Sequence, residues 1–169
     1  VGESEGGIIR ESHVTGTVDG ADSVGGLIGW YEISTGDGGG VNESYAAANV
    51  TGEVAVGGLI GNRDSAAPVN GSYATGSVDG DRDVGGLIGY NQGPIRQTYA
   101  TGSVDGAEYV GGLIGRLIGD STVTESYATG SVTGGTTVGG LVGRNEATVT
   151  DAYAIGRVTG TDTGGAIGI

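Results

Sequence analysis

Hydrophobic and polar residues alternate along short stretches of this chain. In Ser-Tyr-Ala-Thr-Gly-Ser-Val at 72–78, the small and apolar residues carry even numbers, while the tyrosine and two hydroxyl residues carry odd numbers. A period of two predicts a β-strand whose even side faces the interior and whose odd side faces outward. Val69 has the opposite parity to Val78, so a bend or bulge must separate them if both are buried.

A glycine-rich segment follows this strand. The turn at 79–83 leads into Val84 and then into Gly-Gly-Leu-Ile-Gly at 85–89. Glycine weakens a strand, so its recurrence at fixed places predicts either close backbone approach or a corner with positive φ. The glycine content and the absence of an apolar stripe of helical period argue against any helix.

The same pattern recurs along nearly the whole chain. It is anchored by an aromatic position, which is occupied by His13, Tyr45, Tyr73, Tyr99, Tyr127 and Tyr153. Val or Ile stands four residues before it, Val five after it and Gly seven after it. The Gly-Gly-Leu-Ile/Val-Gly block begins twelve residues after it in five copies, and a degenerate sixth copy lies at 164–168. Successive aromatic positions are 32, 28, 26, 28 and 26 residues apart.

A unit of this size cannot bury its own apolar face, whereas stacked units form a continuous core. The repeat therefore predicts an all-β fold, a β-solenoid (β-helix) of about six coils of roughly 26–32 residues, forming a single domain over residues 1–169. A propeller blade needs four strands and usually 40 or more residues. A β-sandwich predicts no such recurrence, so both alternatives are disfavoured.

The Gly-Gly-Leu-Ile-Gly blocks, preceded by Ser-Tyr-Ala-Thr-Gly-Ser-Val, resemble the GLUG repeat, named for Gly-Leu-any-Gly. This resemblance implies a non-catalytic extracellular or cell-surface module of the adhesin-like kind, and it assigns no functional residue. The chain departs from the pattern at His13 in place of Tyr, Ala48 in place of the strand Gly, and Ala166 in place of Leu.

Composition limits the classes of partner. The chain has 40 Gly, no Cys and a net charge of −13, and its seven basic residues are all Arg. Disulfides are excluded, and a basic nucleic-acid footprint is absent. No apolar run is long enough to insert into a membrane. Scattered acids without lysine resemble proteins of extreme halophiles, particularly haloarchaea, and the chain looks like a segment of a larger surface protein.

Three kinds of site are candidates. Asp79, Asp81 and Asp83 alternate around a glycine, which suits calcium, although a solvated acidic turn is the plainer interpretation and no other cofactor is expected. Stacking would also place Asp79 beside Asp105, at the strand spacing. Asn-x-Ser/Thr glycosylation motifs begin at Asn42, Asn49 and Asn70.

The third candidate is a ligand-binding loop. Trp30 and Tyr31 open the longest insertion, from Trp30 to Gly40, and large aromatic residues on a loop often serve recognition; capping of the solenoid edge is the alternative. The tyrosine column either stacks on itself or contacts sugar rings.

These observations favour a non-catalytic extracellular structural or adhesive module, a stalk or fibre-forming segment whose partners are other copies or adjoining domains stacked end to end on its coils. The alternative is a carbohydrate- or cell-binding adhesin that recognises surface glycans through the Trp30–Tyr31 loop. Outward threonine and serine rows allow an ice-binding surface, and Asp83 with Arg82 allows a polysaccharide-degrading enzyme. Both fit less well, because the rows are interrupted and no convergent catalytic set is present.

Overall fold

A computed structural model describes residues 1–33, 39–166 and 168 of the chain. These residues form strands and no helix. In chain order the strands are β1 (Glu3–Glu5), β2 (Ile8–Arg10), β3 (His13–Asp19), β4 (Asp22–Gly25), β5 (Ile28–Glu32), β6 (Gly40–Asn42), β7 (Tyr45–Thr51), β8 (Val54–Gly57), β9 (Ile60–Asp64), β10 (Val69–Asn70), β11 (Tyr73–Ala74), β12 (Val78–Asp79), β13 (Arg82–Gly85), β14 (Ile88–Asn91), β15 (Ile95–Arg96), β16 (Tyr99–Ala100), β17 (Val104–Gly111), β18 (Ile114–Leu117), β19 (Thr122–Ala128), β20 (Val132–Gly139), β21 (Val142–Asn145), β22 (Thr148–Ala154), β23 (Val158–Thr159) and β24 (Thr163–Gly164).

Equivalent residues of successive repeats lie directly over one another. Val69 of β10 pairs with Val41 on one side and with Ile95 on the other, and both pairings are parallel. The β11 strand likewise pairs Tyr73 with Tyr45 and with Tyr99. Parallel pairing at an offset of one repeat produces a β-solenoid of about six coils, which confirms the predicted fold. Among the described residues there is no helix that could span a membrane.

Each coil contributes to two sheets. One sheet has six strands in the order β1-β5-β9-β14-β18-β21, and the remaining strands form the second. Within a coil the chain passes from the short strand at Val69 to the Tyr73 strand, then to β13, and finally to β14 in the first sheet.

The predicted faces of residues 72–78 are confirmed, although this segment forms two short strands, β11 and β12, instead of one. Ala74 and Val78 are buried, whereas Thr75 and Ser77 are exposed. The expected bend between Val69 and Val78 lies at Gly71, where φ is 56°. The same corner has positive φ in the other coils although its residues are not glycine, namely Glu11, Glu43, Gln97, Glu125 and Asp151.

A buried hydroxyl fastens this corner from one coil to the next. The Ser72 hydroxyl donates to the carbonyl oxygen of Asn70 (2.9 Å) and accepts from the backbone N–H of Ser44 (3.1 Å). The Ser44 hydroxyl repeats the arrangement with Asn42 and with the N–H of Ser12. Each hydroxyl thus satisfies backbone groups of two coils, which explains why Ser or Thr recurs immediately before the tyrosine.

The recurring glycines are explained by close backbone approach. A Cβ added to Gly86 would lie 2.1 Å from the carbonyl oxygen of Gly112 and 2.9 Å from the Cβ of Ala100. One at Gly89 would lie 2.5 Å from the backbone nitrogen of Val56. No side chain fits at either place, so β13 and β14 pack backbone to backbone at a narrow waist.

Two parallel cores run along the axis on either side of this waist. The larger contains the Leu and Ile of the glycine block, the alanine after each tyrosine and the valine four residues before it. The smaller is a double column of valines, among them Val78, Val84, Val104 and Val110. Both continue through successive coils, so burial depends on stacking rather than on any single repeat.

Candidate functional site: an arginine and tyrosine face

A second left-handed corner lies just before each glycine block. We call its residues the corner column: Ser23, Ala55, Asp83, Tyr109 and Thr137, with φ between 52° and 55°. Glycine, Asn and Asp adopt this conformation most easily, whereas bulky and β-branched residues are strained there. Tyr109 and Thr137 therefore occupy positions that a purely structural corner would give to smaller residues.

The first sheet carries a second set of outward side chains. We call it the outer column: Trp30, Asn62, Tyr90, Arg116 and Arg144, which are paired in register on β5, β9, β14, β18 and β21. The core positions repeat the same residue types from coil to coil. The outer column changes residue type from coil to coil, and only Arg116 and Arg144 are alike. The fold therefore places no demand on their identity.

The two columns converge around the ring of Tyr109. The guanidinium carbons of Arg144, Arg116 and Arg82 lie 5.3, 5.8 and 6.0 Å from its centroid. Arg144 also donates to the Tyr109 hydroxyl at 3.2 Å. Arg116 faces a second ring as well, with its guanidinium carbon 5.7 Å from the centroid of Tyr90.

Three of the seven basic residues in a chain of charge −13 are thus gathered on one face. We call the group Arg82, Asp83, Tyr90, Tyr109, Arg116 and Arg144 the Arg–Tyr face. The face also contains carboxylates. Arg82 lies 3.8 Å from both Asp83 and Glu108, and Arg144 lies 2.7 Å from Glu146. Within the described ranges Arg116 has no carboxylate partner at ion-pair distance.

Asp83 is buried within this face, with 5% of its surface exposed. Burial raises the pKa of its carboxyl group, and the guanidinium groups of Arg116 and Arg82 oppose that rise. Its Oδ1 has no hydrogen-bond partner, and neither has Nε of Arg116 or Oδ1 of the neighbouring Asn62. Buried polar atoms are normally satisfied, and three of the four exceptions among the described residues belong to the corner and outer columns; the fourth is Nε of Arg63.

A separate buried polar side chain, that of Arg63, lies outside the Arg–Tyr face. Arg63 is fully buried; it donates to Oδ1 of Asn91 and to the carbonyl oxygen of Pro94. Burial lowers the pKa of Arg63 to about 9. Its partners are an amide and a backbone carbonyl of the segment that follows β14, so it fastens that segment to the coil above.

The candidate calcium ligands do not converge. Asp79 and Asp81 are exposed, whereas Asp83 is buried and belongs to the Arg–Tyr face. No group of three acidic or His residues in the described part of the chain is placed to hold a metal ion. The left-handed corner turns Asp83 away from the other two. Asp79 and Asp105 are register neighbours, as predicted.

The three glycosylation motifs differ in accessibility. Ser44 and Ser72, the hydroxyl residues of the motifs at Asn42 and Asn70, are the buried corner residues. Nδ2 of Asn70 also donates to Oδ1 of Asn42 at 3.3 Å. Asn49 and Thr51 are both exposed. The motifs at Asn42 and Asn70 are explained by the coil, and Asn49 stays the most accessible candidate.

The expectation that Tyr31 is an exposed aromatic residue on a loop is wrong. Tyr31 is fully buried, and its hydroxyl donates to the carbonyl oxygen of Gly7 (2.8 Å) and accepts from the N–H of Gly40 (2.7 Å). Its neighbour Trp30 is 39% exposed and points outward, since alternate residues of β5 face opposite sides. Both residues are in a strand, and residues 34–38 of the insertion lie outside the described residues.

Sequence reasoning identified Arg82 and Asp83 but missed Tyr90, Tyr109, Arg116 and Arg144. The available signal was their position in the repeat. They stand ten or seventeen residues after the aromatic position, where the units do not agree. Disagreement between units marks side chains that the coil does not need, but register alone does not show that the two columns meet.

Residues 106–133 and 134–159 each match the family model of the GLUG motif. Residues 106–159 therefore carry two GLUG motifs. The two matched segments are successive coils, and the preceding coils stack on them in the same register. Comparison with curated proteins and with solved structures found no match.

Proposed function

We propose that this GLUG solenoid is a non-catalytic structural or adhesive module of an extracellular surface protein, in which it serves as a stalk or fibre-forming segment. The observation that carries the proposal is the in-register stacking of Val69 between Val41 and Ile95. The positions that the repeats share are occupied by residues that build the coil. Such an array gains length by adding units and needs no other partner for its stability.

The outermost strands are suited to continuation of the stack. Within the described residues β3 pairs only with β7, and β22 pairs only with β19. Each therefore presents an unpaired backbone edge, and Ile155 beside the latter is 72% exposed. A further coil of the same kind, from the same polypeptide or from an adjoining copy, would pair with these edges.

The charge distribution favours a saline exterior. A net charge of −13 without lysine keeps the surface hydrated, and its self-repulsion is tolerable where salt screens it. This agrees with a halophilic, haloarchaeal source, which we include in the proposal.

Adhesion to surface glycans is the second candidate function, and the exposure of Trp30 favours it over the remaining ones. The hydroxyl rows are interrupted on the outward face by Ala47, Asn49, Ile155 and Arg157, which argues against ice binding. The Arg82–Asp83 pair lacks the separate acid and base that hydrolysis of a polysaccharide would need.

The proposal is tested on the organism that makes the protein. Antibodies against the chain should label intact, unpermeabilised cells, with an antibody against a cytoplasmic protein as the control. Labelling that requires permeabilisation would contradict a surface role. Turnover of any polysaccharide by the purified chain would contradict the non-catalytic role, and a panel of acidic and neutral polysaccharides with a reducing-end assay measures it.

A further inference from the structure

The type of side chain in the outer column changes from one end of the solenoid axis to the other. Trp30 lies at one end with an exposed ring, Asn62 and Tyr90 follow, and Arg116 and Arg144 complete the column. Neighbouring strands are about 4.8 Å apart, so the five side chains span about 19 Å. This is an extended line of ring, amide and guanidinium groups on one face.

Arg116 is the best-placed anion ligand on this line. Its guanidinium carbon lies 5.7 Å from the ring centroid of Tyr90 and 5.8 Å from that of Tyr109. Contact with two rings restricts the guanidinium, whose Nε is buried without a hydrogen-bond partner. Arg116 also lacks a carboxylate partner in the part of the chain that the structure describes, unlike Arg82 and Arg144.

The buried carboxyl of Asp83 is the second observation that sets this face apart. It is a 95% buried acidic group with one unpartnered oxygen, held beside Arg82 and close to Arg116. A coil does not require it, since Ala55 occupies the equivalent corner one unit earlier and is also buried. The carboxyl group of Asp83 lies 3.8 Å from the guanidinium of Arg82 and supports it from the buried side of the face.

The ion pairs on the face leave it accessible. Side chains of Arg144 and Glu146 are 41% and 45% exposed, and those of Arg82 and Glu108 are 50% and 43% exposed. Exposed pairs of this kind contribute only about 0–1 kcal/mol, so a ligand oxyanion exchanges with the carboxylate at little expense.

We propose that the Arg–Tyr face, continued by Asn62 and Trp30 along the outer column, binds a linear acidic polysaccharide. Arg116 and Arg144 contact its carboxylate or sulfate groups through charge-assisted hydrogen bonds. Asn62 hydrogen-bonds sugar hydroxyl groups, and Trp30 packs against a sugar ring. The amide of Asn62 and the exposed ring of Trp30 match the hydroxyl groups and ring faces of sugars, which favours a glycan as the polyanion.

The test measures binding of the intact chain by isothermal titration calorimetry. The probes are polygalacturonate for carboxylate, dextran sulfate for sulfate, and unmodified dextran as the neutral polymer. We expect at least one of the two polyanions to bind and dextran not to bind. Arg116→Gln should weaken binding about tenfold or more, in line with the loss of a charge-assisted hydrogen bond.

Arg96→Gln is the matched control, because it removes the same charge from an exposed arginine that pairs with Glu125 outside this face. It should change affinity by less than about twofold. Circular dichroism and thermal melting report whether Arg116→Gln folds. If it does not fold, Arg144→Gln, whose side chain is 41% exposed, takes its place with the same expectation.

Three results would overturn the proposal. The first is the absence of binding to both polyanions at 50 mM and at 1 M salt. The second is equal weakening by Arg96→Gln and Arg116→Gln, which would indicate diffuse electrostatics. The third is self-association that Arg116→Gln abolishes in light scattering, which would assign the face to a second copy of the chain. None of these results bears on the stalk function, which the labelling of intact cells tests separately.

Discussion

The rings of Tyr73 and Tyr99 stack with their centroids 4.6 Å apart and their planes 5° apart. The pair belongs to a column that begins at His13 and ends at Tyr153, with neighbouring centroids between 4.6 and 5.3 Å apart. Each inner ring has a ring on both sides. The tyrosines therefore cover the outer face of the coil by contacting one another, and stability depends on a ring's place in the column.

Tyr99→Ala should destabilise the protein more than Tyr153→Ala. Tyr99 loses two stacked neighbours, whereas Tyr153 has Tyr127 alone, and half of its surface is already exposed. A stacked pair contributes roughly 0.5–1.5 kcal/mol, so the two variants should differ by at least about 0.5–1.5 kcal/mol in unfolding free energy. Urea denaturation measures the difference, and equal losses would show that the column is not held by stacking.

The repeat predicted most of the fold. Parity assigned Ala74 and Val78 to the interior, and the opposite parity of Val69 required the corner that lies at Gly71. The second corner at Asp83 was not foreseen. Positive φ is usually inferred from glycine, but glycines of the waist have negative φ, and residues such as Ala55 and Tyr109 take the left-handed conformation.

The candidate site was less predictable than the fold. Arg116 lies far from Arg82 in sequence, and both approach the ring of Tyr109 only because the corner and outer columns lie on the same side of the solenoid. Residue spacing within one repeat does not show that the two columns lie close together. Their closeness depends on the backbone contact between Gly89 and the preceding coil.

Gly86→Ala should prevent the coils from stacking at the waist. Its Cβ would lie 2.1 Å from a backbone oxygen, which cannot move without displacing the next coil. Overpacking costs typically 1–3 kcal/mol, and contact with backbone places this variant at about 3 kcal/mol or more.

Gly165→Ala provides the control for Gly86→Ala. Gly165 lies at the equivalent place in the last coil, and a Cβ there would have no atom within 4 Å. Its melting temperature should stay close to that of the parent chain. Similar losses from both variants would mean that glycine acts through the flexibility of the unfolded chain and not through close approach.

Asp105→Thr should stabilise the protein most at low salt. Asp105 and Asp79 are exposed register neighbours, so their charges repel, whereas Thr133 occupies the same position in the next coil. Removing one charge should raise the unfolding free energy by roughly 0.5 kcal/mol at 50 mM salt. The gain should shrink at 1 M, where the Debye length is about 3 Å.

Asp19→Thr makes the same substitution at the same repeat position, but Asp19 pairs with Thr51 and faces no carboxylate across the strands. Its effect on stability should depend less on salt. If both variants respond equally to salt, the repulsion is a property of the whole surface and not of the Asp79–Asp105 pair.

Asp83→Asn should stabilise the protein at neutral pH. Burial raises the pKa of Asp83 in the folded state above its unfolded value, although Arg116, Arg82 and Arg144 oppose the rise and Glu108 adds to it. Its contribution to stability is therefore complete below the unfolded pKa of about 3.9, and is lost as pH rises through the folded pKa. The neutral amide of asparagine keeps this contribution to stability at all pH values, and asparagine also accepts the left-handed conformation.

Urea midpoints of Asp83→Asn and of the parent chain should converge toward acid pH and separate above the folded pKa. Asp81→Asn is the control, because it removes one carboxylate from an exposed position two residues away. A pH-independent difference for Asp83→Asn would assign its effect to the backbone conformation alone.

Arg63 and Asn91 should be coupled in a double-mutant cycle. Asn91→Leu leaves a buried guanidinium without its amide partner, which costs roughly 3–5 kcal/mol. Arg63→Leu leaves the Oδ1 atom of Asn91 unsatisfied, at about 1–3 kcal/mol. Leu117 is buried at the same position of the next coil, so leucine fits this column.

Replacing both residues by leucine removes the two unsatisfied groups together. The loss in the double variant should therefore be smaller than the sum of the single losses by at least about 1 kcal/mol. Additive losses in urea denaturation would show that the two side chains contribute independently, and the fastening role of Arg63 would then rest on its bond to Pro94.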